Sequence, residues 1–77
     1  MLWNYRVLKK QISEKEVVFD ICEVYYKDGE PNGWVWDENI LKQESLEDLK
    51  DALIGIQEAL KQPVLEIIGD DEGLREI

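Results

Sequence analysis

The chain has no histidine, one cysteine and two prolines in 77 residues, and each scarcity removes a class of chemistry. Without histidine there is no side chain of ordinary pKa near neutrality to serve as the base of a Ser–His or Cys–His pair. With Cys22 alone, no disulfide can close within the chain and no Cys/His zinc site can assemble, which fits a reducing, cytoplasmic setting. The five glycines are scattered; Gly29 and Gly33 read as turn residues and not as a phosphate-cradling loop. No apolar run approaches the roughly 18 residues of a membrane span, and the start MLWNYRVLKK lacks the apolar stretch of a signal peptide.

Positive charge is also in short supply: nine Lys/Arg stand against 18 Asp/Glu, a net charge of −9. The imbalance sits mainly in the second half, where residues 44 to 77 carry three basic and ten acidic side chains. A surface of that sign repels nucleic acid and anionic membranes, and it accelerates encounter with a basic protein. Neither direct nucleic-acid binding nor membrane binding is therefore expected. Carboxylate pairs such as Asp70/Asp71 and Glu47/Asp51 could hold a divalent cation or act as acid and base, but they lack the alternating ligand spacing of a calcium loop or a concave setting. The reading is a protein that is not an enzyme, with no catalytic residues, metal or cofactor.

What remains is a clear order of elements. Residues 2 to 9, LWNYRVLK, place Trp3, Tyr5 and Val7 on one parity and Asn4 and Arg6 on the other, a strand pattern. Gln11 to Glu16 reads as a turn, and VVFDICEVYY at 17 to 26 as a second strand rich in β-branched and aromatic residues. Asp28-Gly29 signals a two-residue hairpin, with Pro31-Asn32-Gly33 as a competing turn. Trp34 to Trp36 reads as a third strand and Asp37 to Glu44 as a polar connection. Ser45 is the expected N-cap of a helix, with Asp48 completing a weak capping box, and Pro63 ends it before a strand over 64 to 68.

Leu46, Leu49, Leu53, Ile56 and Leu60 recur at spacings of three and four and form the expected core-facing stripe, with Gly55 on the opposite side. A helix of this length, about 25 Å, can cover one face of a small sheet. The fold class is therefore α+β, in the order β-β-β-α-β: an antiparallel meander, one helix on one sheet face, and a last short strand returning parallel beside the first. A single domain is expected over residues 1 to 68, followed by a mobile acidic tail over 69 to 77.

Two features point to a partner. The second strand is apolar on both faces, Val17, Phe19, Ile21 and Tyr25 on one and Val18, Cys22, Val24 and Tyr26 on the other, yet one helix covers one face only. Either a bulge near Ile21 to Val24 turns the pattern over, or the second face is shielded by the tail, a second copy or a foreign protein. A homodimer is the simplest partner arrangement, with Cys22, Val24, Tyr26, Trp34 and Trp36 as the self-association surface. On the helix, Ile54 lies off the core stripe with Glu47, Asp51 and Glu58 around it. An apolar side chain ringed by acids can seat in a basic partner, so these four are the expected partner-binding residues.

The strings WNYRV at 3 to 7, EVYYKDG at 23 to 29, GW at 33 and 34, ESLEDL at 44 to 49 and KQPVLE at 61 to 66 resemble a group of short uncharacterised bacterial proteins. The order of elements and the ESLEDLKDAL helix start are similar to the HicB-like antitoxin domain. That resemblance implies a partial ribonuclease-H-like fold without its catalytic acids, oligomerisation, and neutralisation of a small basic ribonuclease. Where that family carries a Pro-Gly stretch, this chain has Asn-Gly-Trp-Val-Trp, and the length leaves no room for a DNA-binding domain. The function expected is a non-catalytic acidic module that binds a basic protein, in the antitoxin manner. The alternative is a nucleic-acid mimic that occupies the groove of a nuclease or an anti-phage effector complex.

Overall fold

A computed structural model describes residues 2 to 77. Strand β1 (Leu2–Gln11) and strand β2 (Val17–Lys27) pair antiparallel without a break from Leu2 opposite Tyr26 to Gln11 opposite Val17. The turn between them is tied by Ile12 N–H to the Glu16 carbonyl at 2.9 Å. Asp28 and Gly29 both take positive φ, 54° and 80°, as a type I′ turn requires. They set Lys27 opposite Glu30 and start strand β3 (Glu30–Val35), which begins earlier than the sequence predicts.

The extra residue lies on β3 and not on β2: Tyr25 faces Gly33 while Tyr26 faces Pro31, leaving Asn32 unpaired in a bulge. The bulge near Ile21 to Val24 is thus excluded, and from Ile21 onward β2 is covered on both faces, while Val17, Val18 and Phe19 remain exposed.

Helix α1 (Leu46–Ala59) begins where expected, the Ser45 hydroxyl accepting the Asp48 N–H at 3.0 Å. Strand β4 (Leu65–Ile68) returns parallel to β1, with Leu8 opposite Leu65. The acidic terminus then departs from expectation. After a turn in which Gly69 and Asp71 take positive φ, residues 73 to 76 form strand β5 (Gly73–Glu76), antiparallel to β4. The tail is therefore an edge strand of the fold. The sheet order is β3-β2-β1-β4-β5, with one parallel pair among five strands, and it curls until β3 approaches β5.

That curl answers the question of the second face. Leu8, Cys22, Val24, Leu65 and Ile67 form one core inside it, covered by Tyr26, Trp34 and Trp36 from one side and Leu74 from the other. Lys10 closes the seam, its ammonium 5.3 Å from the Trp36 ring centre and 3.5 Å from Asp71. Cys22 is 1% exposed and Val24 0%. They cannot offer a surface for self-association, and Tyr26, Trp34 and Trp36 are the lid of the same core. The chain's own terminus supplies part of the shield through Leu74. Burial and the neighbouring Asp20 carboxylate push the Cys22 thiol up to about 12, so it stays a neutral packing group.

The helix lies on the opposite face, but not on its leucines. Its buried residues are Ala52 and Ala59, packed with Tyr5 and with Ile21, Ile40 and Ile56 at the margin. Gly55 faces the sheet too: a Cβ there would stand 2.7 Å from Tyr5 Cδ2. At about 100° per residue, this face is centred about 90° from the leucine stripe. The Tyr5 ring occupies the space between helix and sheet, so small residues must face it. Leu49 and Ile56 end half-buried, while Leu46, Leu53 and Leu60 are exposed. The core-facing stripe is thus corrected to a small-residue face, and Gly55 moves from the solvent side to the contact.

Gly55→Ala should therefore destabilise the fold. The helix-propensity gain of about 1 kcal/mol is outweighed by the cost of overpacking against a buried ring, about 1 to 3 kcal/mol. Chemical denaturation measures it, and a rise in the unfolding midpoint would contradict the packing.

No helix among the described residues is long and apolar enough to cross a membrane.

Candidate functional site

Because α1 turns its small face to the sheet, its leucine flank is left beside the far end of the β1–β2 hairpin. Between them lies a mainly apolar groove of about 600 Å³, lined by Val7, Phe19, Asp20 and Ile21 of the sheet, Leu53 and Ile56 of the helix, its C-cap Leu60, and residues 38 to 41 of the connection. Phe19 is 59% exposed and Leu60 66%. With Leu41 and Leu53 they make a contiguous apolar patch instead of scattered single residues, the kind of surface that marks a contact site.

One end of the groove is acidic. The connection residues Glu38, Asn39 and Ile40 also line a recess of about 320 Å³ that contains Glu23, Glu44 and Asp48, with Lys42 at its edge and Tyr5 at its base. The Glu23 side chain comes from β2 and is tied by the Tyr25 hydroxyl, which donates to Glu23 Oε2 at 2.8 Å. Glu38 is held against it by the connection between β3 and α1. Desolvation, and then the repulsion and hydrogen bonding of Glu23, raise the Glu38 carboxyl above its ordinary value. Burial together with the same two acids raises Tyr5.

A carboxyl raised in the folded state costs stability as pH rises above its ordinary value, and the cost is complete once pH exceeds the raised one, because the folded protein must then carry two neighbouring charges. A cation placed between Glu23 and Glu38 removes that cost, so cation binding here releases protons and strengthens as pH rises through the Glu38 range.

The sequence-predicted helix quartet lies elsewhere. Glu47, Asp51, Ile54 and Glu58 are all exposed, on the helix flank away from the groove. Glu58 accepts from Lys61 at 3.3 Å, whereas Glu47 and Asp51 have no ion pair among the described residues. Of the quartet, Asp51 adjoins the recess, sharing a shallow depression with Tyr5, Gln43 and Asp48. Sequence reasoning missed Glu23 and Glu38, fifteen positions apart and on different elements. The available signal was Glu23 interrupting one apolar face of β2 and Phe19 sharing its parity.

The described residues contain no cluster of three or more acidic or cysteine side chains arranged to hold a metal ion. Comparison with protein-family models, with curated proteins and with solved structures returned no match.

Proposed function

We propose that the chain is a non-catalytic acidic module that binds a basic, amphipathic segment of a partner protein. The observation that carries this reading is the apolar groove running into the Glu23/Glu38 recess. Apolar side chains of the segment fill the groove beside Phe19, Leu53 and Leu60, and a Lys or Arg enters the recess. The carboxylates of Glu47, Asp51 and Glu58 on the other helix flank, around the exposed Ile54, contribute to the field that steers the basic partner inward. The finer form, supported by the resemblance of the ESLEDLKDAL helix start, is an antitoxin whose partner is a small basic ribonuclease.

A synthetic amphipathic helix of leucine and lysine serves as the probe. Its association rate should fall with added salt and on Glu47→Lys/Asp51→Lys, and its affinity should fall as pH is lowered through the Glu38 range. Stopped-flow fluorescence and titration calorimetry measure these. Affinity indifferent to both salt and pH would contradict the acidic recess. Sedimentation distinguishes the other occupant, a second copy, since groove-mediated dimers would dissociate as the peptide is added. RNA that displaces a basic protein partner would favour the nucleic-acid mimic.

A further inference from the structure

The single buried charge of the fold among the described residues lies on the opposite sheet face from the groove. Arg6 projects into the curl between β3 and β5 and is only 8% exposed. A guanidinium cannot shed its proton in a protein, so the charge persists there. Its hydrogen bonds go to neutral oxygens: one terminal nitrogen donates to the Tyr26 hydroxyl at 2.9 Å and the other to the Pro63 carbonyl at 2.8 Å. Tyr26 is held as an acceptor because its own hydrogen goes to Asn4 Oδ1 at 2.8 Å. Arg6 Nε is buried and has no partner, and no ion pair to Arg6 exists among the described residues. In an acidic chain, a desolvated cation with no carboxylate within ion-pair distance is an arrangement that stability alone does not explain.

Arg6 also lines a recess of about 310 Å³ at the end of the curl. Most of its lining is polar, Tyr26 and the Gly29 backbone included, and a smaller apolar part comes from Pro31 at the start of β3, Leu65 on β4 and Leu74 on β5. Two carboxylates line it as well, Glu30 after the hairpin turn and Glu76 near the terminus. The recess thus joins a fixed positive group, two negative groups and a small apolar patch, within a volume suited to a small molecule. An anion alone would meet Glu30 and Glu76, and a cation alone would meet Arg6.

We infer that this recess binds a small zwitterion, a free amino acid with an apolar side chain, its carboxylate on Arg6 and its ammonium between Glu30 and Glu76. A guanidinium N–H not taken by Tyr26 or Pro63 supplies the charge-assisted contact to that carboxylate. The side chain then rests on Leu74 and Pro31. The site is independent of the groove, so its failure would leave the proposed partner binding untouched.

Leucine, N-acetylleucine and leucinamide are the probes, and the Arg6 Nε–Hε resonance with the backbone signals of Tyr26 and Leu74 is the readout. Leucine should shift these signals saturably in the millimolar range. Removing either ligand charge, or introducing Glu76→Gln or Glu30→Gln, should weaken binding about tenfold, the scale of one charge-assisted hydrogen bond. The two Gln variants should unfold at the temperature of the parent chain. Failure of leucine to move these signals overturns the inference, as does equal binding of the blocked forms. So does a clear loss of thermal stability in Glu76→Gln, because it would show that Glu76 is itself the counter-ion of Arg6.

Discussion

Deleting residues 69 to 77 should abolish cooperative folding at room temperature or lower the melting temperature by tens of degrees. Strand β5 pairs with β4 along its whole length, places Leu74 over Ile67, and sets Arg75 on the Glu66 carboxylate. That contact, with Lys9 behind it, holds Glu66 below the usual carboxylate range. Without β5, β4 becomes a four-residue edge strand. Leu65 and Ile67, now 3% and 7% exposed, would open to water. Burial of one aliphatic side chain contributes about 1.5 to 3 kcal/mol, whereas a domain of this size has only about 4 to 12 kcal/mol in total. Losing the cover of two such residues and Leu74 itself removes most of that. A mobile acidic tail, which is what the glycines and carboxylates of this segment predict, would behave oppositely: removing it would leave stability unchanged or raise it by relieving negative charge. Thermal unfolding of the shortened chain separates the two.

The second large effect concerns binding. Leu53→Gln together with Leu60→Gln should weaken the basic peptide by about 30-fold or more, the scale of losing a central anchor of about 2 kcal/mol. The same pair should change folding stability by no more than about 0.5 kcal/mol per site, because both side chains are exposed and, at position 53 within the helix, Gln is a good helix former. Ile54→Gln is the informative contrast. It sits on the acidic flank that the sequence pattern selects, and it should change affinity little. If Ile54 mattered and Leu53 and Leu60 did not, the partner would sit on that flank and the groove would be a by-product of helix rotation.

Legibility in the sequence followed the range of the interaction. The Asp28-Gly29 turn and the Ser45 cap depend on neighbouring residues, and each lies where the pattern predicts, whereas the helix ends at Ala59, short of the stop expected at Pro63. The parallel return of β4 followed from the length of the crossover. The rotation of the helix did not, because the hydrophobic pattern weighs leucine heavily and alanine and glycine lightly. The contact was decided by the Tyr5 ring, about 50 positions away. Strand β5 was obscured by its composition, although the two apolar faces of β2 demanded a second cover and the tail was one of three ways to supply it. Glu23 and Glu38 are brought together by the connection between β3 and α1, and no local spacing encodes that. Arg6 carried a faint signal, a cation on the strand parity that also holds Leu8.

The most direct measurement is a backbone amide NMR titration of the intact chain with the leucine–lysine peptide. Binding at the groove predicts saturable shifts at Phe19, Ile21, Glu23, Glu38 to Leu41, Leu53 and Leu60, with Glu47, Asp51 and Ile54 moving little. Shifts centred on those three helix residues, or weak changes spread evenly over all acidic positions, would contradict it.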